Sequence, residues 1–428
     1  MKTTNWTELS LEQLQANKAA LETEYADYVS RNLKLNMSRG KPAGSQLDLT
    51  NGVLDKMESW FTADGVDARN YGILDGIPEA KQLFSELLDI PQEKIIVGGN
   101  SSLNMMYDTM VRCFLFGTRG GTPWGKLPKV KFLCPAPGYD RHFAICEELG
   151  IEMITVPMRE DGPDMDLVEK LAAEDDSIKG IWCVPLYSNP QGICYSDRTV
   201  ERLAAMKAAP DFRIFWDNAY GVHHIYSETR LADIFAACEK AGNPDRVFYF
   251  FSTSKITFPG AGVALMASSV DNVTEIKQHL TIQTIGPDKL NQLRTVRFLK
   301  NAEGVRAHMR RLAEELKPKF DVVLNTLERE LGGTGLAEWT RPKGGYFIAI
   351  DTLDNCAKET VDLAKRAGVV MTGAGATFPY HRDPRDRNIR IAPTYPTLED
   401  LTQAIALFCV CVKLAGVNRL IADRKNAK

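Results

Sequence analysis

The chain has 428 residues, 44% of them apolar and 25% charged, with a formal net charge of −3. This length gives room for roughly two domains, the composition excludes bulk disorder, and the near-neutral charge offers no ground for a nucleic acid or an anionic membrane as partner. Nine cysteines are scattered without a CxxC pair, so no disulfide framework or metal site is expected, and a reducing, cytoplasmic compartment is.

The N-terminus, MKTTNWTELSLEQLQ, is polar and lacks the basic start and apolar run of a signal peptide. No uninterrupted apolar stretch approaches 18 residues, so no membrane span is expected. Leu9, Leu11, Leu14, Leu21, Tyr25 and Tyr28 recur at helical spacing and predict a helix over 7–34. A Gly/Pro/Ser-rich loop, SRGKPAGSQLDLTNG, follows. Between about 90 and 270, short apolar runs at 94–97, 130–134, 152–156, 180–186, 213–216, 246–251 and 263–267 alternate with helical segments. That alternation predicts a βαβ-wound, mostly parallel sheet. Residues 273–330 read as mainly helical, and 345–350 and 388–391 as strands of a smaller α+β unit. The expected division is 1–50 joining the small domain, 51–310 as the large domain and 311–428 as the small one.

Open parallel sheets bind ligands at the carboxyl ends of their strands, so the residues that follow each run carry the chemistry. KIIV leads into GGNSS, where Asn100, Ser101 and Ser102 open a helix whose free N–H groups suit a phosphate; an ordinary cap by Asn100 or Ser101 explains the same letters. KVKFLC leads into PAPGYDRHF, whose Tyr139 suits stacking on a flat ring or simple loop packing. GIWCVPLY leads into SNPQG; Asn189 is a donor for a phenolic oxygen or part of an Asn-Pro turn. RIFW leads into DNAY. Asp217 after a buried strand needs a cationic partner, which a protonated pyridine nitrogen, an N-cap or a salt bridge would each supply. RVFYFF leads into STSK, where Lys255 emerges at the crevice edge, either as an amine nucleophile or as a snorkelling lysine.

Taken in order, NYGILDGIPE, GGNSS, PAPGYDRH, SNPQG, DNAY, STSK, PKGGYF and NIRIAP resemble the class I/II aminotransferases, the fold-type I enzymes of pyridoxal 5′-phosphate (PLP), over about 35–415. NMSRGKP and STSKITFPGAGVA resemble a bacterial aspartate-aminotransferase-like branch. The resemblance implies an α/β fold-type I transferase with a mostly parallel sheet in the large domain, and it implies residue roles. Lys255 would carry PLP as a Schiff base and move protons. Asp217 would pair with the pyridinium, supported by His142. Tyr220 and Asn189 would bind the phenolic oxygen, and Tyr139 would stack on the ring. Asn100, Ser101, Ser102, Ser252 and Ser254 would hold the phosphate. Arg390 would clamp the substrate α-carboxylate beside Asn189, and Tyr71 would reach the phosphate of the neighbouring subunit of a homodimer. One departure stands out. Where many relatives have a phosphate-binding arginine after the lysine, this chain has Gly262 or Val263.

The expected substrates are an α-amino acid and a 2-oxo acid. Arg39, beside Gly40 in the SRGKP loop, would bind a second carboxylate as in aspartate or glutamate, or serve as a solvated loop arginine; Lys41 is a weaker choice. Three competing readings are a different PLP reaction on the same scaffold, a regulator with an aminotransferase-like domain, and a dinucleotide oxidoreductase. Fewer than about 40 non-basic residues precede the core, which speaks against the second. No GxGxxG follows a strand, which speaks against the third.

Overall fold

The computed structural model describes residues 5–426; residues 1–4 of the polar N-terminal stretch and 427–428 of the expected small domain lie outside it. The seven apolar runs between 90 and 270 all become strands of one eight-stranded sheet. Their side chains divide strictly by parity. Leu133, Ile181, Cys183, Ile214, Trp216, Tyr249 and Phe251 enter one core, while Phe132, Cys134, Trp182, Phe215, Phe248 and Phe250 enter another on the opposite face. A period of two with both faces apolar is what a helix-covered sheet requires.

The strands Lys131–Ala136, Glu152–Arg159, Ile178–Cys183, Arg213–Asp217 and Val247–Ser252 are mutually parallel. Ala264–Ala267 runs antiparallel to Val247–Ser252, and Ile95–Val97 antiparallel to it in turn. Two reversals restore the direction, so Val97 ends on the same edge as Ala136, Cys183, Asp217 and Ser252. Gly162–Pro163 closes the far edge as an antiparallel pair with Glu152–Arg159.

A separate core joins Leu14, Leu21 and Met37 to Phe320–Leu331 and to apolar residues from Ile348 to Ile421. Its framework is a three-stranded antiparallel sheet of Ala337–Trp339, Ile348–Thr352 and Asn388–Ile391. Leu35–Asn36 pairs with Val369–Val370 beside it. The helical stretch before it resolves into Val270–Gln283, Lys289–Leu299 and Ala302–Leu331.

Three expected elements shift. The N-terminal helix is Leu11–Ser30, because the Ser10 hydroxyl and the Gln13 side chain form a capping box there and Asn32 takes a left-handed backbone. The run 180–186 leaves the sheet after Cys183 and carries the chain toward Asn189. The run 345–350 joins its sheet only at Ile348, because Gly345 has φ +85° and donates its N–H to the His223 carbonyl at 2.9 Å. The helix Leu398–Asn426 is apolar enough by length and composition to cross a membrane, with a mean hydropathy of 1.9 over its richest window. Two-thirds of that window is buried in the protein, against the helices Leu11–Ser30, Ala302–Leu331 and Ala357–Arg366.

Candidate active site

Asp217 is the last residue of a fully buried strand and is itself 2% exposed. Its Oδ2 accepts a hydrogen bond from His142 Nε2–H at 3.0 Å, and the His142 ring lies flat on Trp182, centroids 4.3 Å apart. Oδ1 is buried and has no partner among the described residues. A bare carboxylate oxygen in the interior costs on the order of 1–3 kcal/mol or more, so this edge stores a demand for a cationic or N–H donor.

Lys255 lies three residues beyond the strand Val247–Ser252. Its Nζ sits 5.1 Å from the Tyr220 ring centroid and 5.7 Å from that of Tyr346. Desolvation lowers the ammonium pKa, and Asp217 opposes that shift. The amine is therefore more readily neutral than on a surface. Tyr220 is buried and stacks on Tyr346; burial pushes its phenol well up, with the Tyr139 and Asp217 charges adding and Arg390 opposing. Tyr139 is half-buried and meets His142 edge-on at 4.9 Å.

Asn189 is 3% exposed, and its Oδ1 accepts from Arg390 Nη1 at 3.2 Å. That bond fixes the amide orientation and leaves the NH₂ free to donate. Arg390, on the strand Asn388–Ile391, rests its guanidinium on the Phe347 ring at 4.8 Å. The same ring meets Gly40, where no Cβ would fit. The SRGKP loop therefore reaches the back of the Arg390 site. Arg39 is exposed, and its guanidinium forms no ion pair with the described carboxylates, whereas Lys41 Nζ lies 3.9 Å over the Tyr395 ring.

The helix Ser102–Phe116 begins at the same sheet edge. Its N-cap, Ser101, makes no side-chain cap bond, so the simple capping explanation for GGNSS does not hold. Ser252 Oγ donates to Ser254 Oγ at 3.0 Å, and Ser254 Oγ lies 3.5 Å from the Asn100 carbonyl oxygen. Hydroxyls and free helix N–H groups thus face one small region, a combination suited to a phosphate. The Gly262 carbonyl there accepts from Asn291 Nδ2 at 2.7 Å, and Asn291 Oδ1 accepts from Arg294 Nε at 2.9 Å. Tyr71 stands apart from this cluster, with 79% of its surface exposed.

Sequence reasoning missed four neighbours. Trp182 and Tyr346 are apolar-run residues with no polar signal. Asp140 was visible in PGYDRH but had no assigned task. His223 is 2% exposed, and as a neutral imidazole its Nε2–H donates to the Lys255 carbonyl at 3.4 Å. Burial and the Lys255 charge push His223 down to about 3 from 6.5. Between those two values the unfolded chain binds a proton that the folded one excludes. Stability is therefore full above about pH 6.5 and falls as pH drops toward 3. His223→Gln is expected to lose roughly 2 kcal/mol less than the wild type between pH 7 and pH 5. Urea unfolding at both pH values reads the difference, and equal losses would exclude His223 as the source.

A family model described as aspartate amino-transferase matches residues 9–424. A Corynebacterium glutamicum aspartate aminotransferase is 45% identical over 95% of this chain and 96% of its own. A Mycolicibacterium smegmatis protein named as an aminotransferase is 49% identical over 97% of this chain and 99% of its own. The crystal structure of an aspartate transaminase from C. glutamicum superposes with a TM-score of 0.95 at 43% identity, covering 98% of this chain and all of that one.

Proposed function

The chain belongs to the aspartate aminotransferase family, and from that premise we propose that it exchanges the amino group of aspartate or glutamate with a 2-oxo acid, using PLP held at Lys255 and Asp217. The residues present fit that cofactor. The unpartnered Asp217 Oδ1 suits a pyridinium N–H, the free Asn189 NH₂ suits a phenolic oxygen, and the Ser101–Ser102 helix start with Ser252 and Ser254 suits the phosphate. When bound, PLP supplies an electron sink for charge released at the substrate Cα. Asp217 keeps its partner protonated, and His142 holds Asp217 in place. Lys255 takes and returns the Cα proton, its amine made available by desolvation. Tyr220 and Asn189 would hold the phenolic oxygen, Tyr139 would lie against the ring, and Arg390 would bind the substrate α-carboxylate, restricting the orientation of the substrate toward Lys255.

The specificity for dicarboxylic substrates rests on Arg39: exposed, unpaired among the described residues, and on the loop whose Gly40 packs behind the Arg390 site. The C. glutamicum relative named aspartate aminotransferase supports the same reading. Arg39→Ala is expected to raise KM for aspartate by about tenfold or more and to leave alanine within about twofold. Steady-state kinetics with 2-oxoglutarate as acceptor, following glutamate, tests it; equal effects on both amino acids would remove Arg39 from the substrate site.

The active unit under this reading is a homodimer. Tyr71 (79% exposed), Ile282 (89%) and Ile285 (62%) lie on adjoining segments, tied where Lys289 Nζ donates to the Gly72 carbonyl. A second copy covering this face would bring Tyr71 toward its phosphate site. A reducing compartment such as the cytoplasm suits the nine free thiols.

A further inference from the structure

Arg390 is committed before any substrate arrives. Besides its bond to Asn189, Nη1 donates to Asp140 Oδ1 at 3.0 Å. Those two bonds use both Nη1 hydrogens. Among the described residues, Nε is buried without a partner and Nη2 enters no hydrogen bond. A carboxylate gripped bidentately needs two parallel N–H donors, and the pair left over is Nε with Nη2.

We infer that Asp140 is the positioning residue of the carboxylate clamp, turning the Arg390 guanidinium so that its Nε–Nη2 edge stays unpaired and holding a counter-charge beside it that keeps carboxylate binding weak. Three observations carry this. Arg390 has a side chain only 9% exposed, so an uncompensated charge there would be costly, and Asp140 removes that cost. Asp140 itself opens the helix Asp140–Glu148, where the N-terminal dipole favours a carboxylate, and its 30% side-chain exposure keeps part of its hydration. Finally, Asp140 follows Tyr139 directly, so one short turn sets both the ring-covering tyrosine and the clamp. Once a substrate carboxylate docks, two anions share one guanidinium, and their repulsion raises the dissociation constant.

The inference rests on Arg390 as the carboxylate clamp, and its test separates the two. Succinate, which docks without reacting, is titrated calorimetrically into cofactor-loaded wild type, Asp140→Asn, Asp140→Ala and Arg390→Ala. Asp140→Asn keeps an acceptor for Nη1 but drops the charge; it is expected to bind succinate about tenfold more tightly than wild type. Asp140→Ala loses the acceptor as well, and is expected to bind more weakly than Asp140→Asn. Unchanged or weaker binding in Asp140→Asn, with binding lost in Arg390→Ala, overturns the role of Asp140 alone. Wild-type affinity in Arg390→Ala overturns the clamp itself. Removing the counter-charge of Arg390 is expected to lower the thermal midpoints of the Asp140 variants, so circular dichroism matching wild type at the titration temperature is the control that excludes misfolding.

Discussion

Replacing Lys255 by alanine is expected to lower kcat by on the order of 10⁴-fold or more, because in the proposed reaction one side chain both anchors the cofactor and carries the proton. The geometry offers no substitute. Lys255 Nζ lies beside the rings of Tyr220 and Tyr346, and burial pushes both phenols up, so neither supplies a base near neutrality. The nearby imidazole, His223, is pushed down to about 3, chiefly by burial, which makes it a weak base. Lys255→Arg is expected to be as inactive as Lys255→Ala, since a guanidinium does not release its proton at working pH. Rapid mixing with aspartate, followed through the visible absorption of the bound cofactor, measures the half-reaction directly. Retention of more than about 1% of wild-type kcat in Lys255→Ala would transfer the proton-moving role to another group.

Asp217→Asn is the second large effect, and its two readouts move in opposite directions. Removing the carboxylate that, in the proposed reaction, would keep the pyridinium protonated is expected to cost about 10²–10³-fold in kcat, with KM for aspartate changed far less. In the cofactor-free protein the same substitution removes a buried charge whose Oδ1 has no partner. Stability without cofactor is therefore expected to rise by about 1 kcal/mol, while the stabilisation gained on adding PLP shrinks. Thermal unfolding with and without PLP separates these terms. A variant less stable than wild type in both states would mean that the His142–Asp217 hydrogen bond outweighs the unpartnered oxygen.

Much of the site was legible because strand ends are local events. Asp217, Ser252 and Lys255 each follow a run whose parity assigns it to a buried sheet, and a polar residue placed there needs a reason that the letters themselves display. The Arg390 site is different. Its parts come from five places: the SRGKP loop, Tyr139–Asp140, Asn189, Phe347, and the strand Asn388–Ile391. Residues so far apart in the chain carry no shared pattern, so the stacking of Arg390 on Phe347 and the ion pair to Asp140 had no sequence signal. The same holds for Asn291 and Arg294 near Gly262, at the place where an arginine after Lys255 was missed.

The sequence by itself determined the alternation of strands and helices, the edge at which the chemistry gathers, and the family, because hydrophobic period and strand-end residues are read within a few positions. Only the tertiary structure decided which oxygen of Asp217 is left bare, which way the Asn189 amide points, and which edge of Arg390 remains open. Those choices depend on hydrogen-bond partners brought together across 75 to 250 residues of chain, and distance in sequence says nothing about geometry at 3 Å.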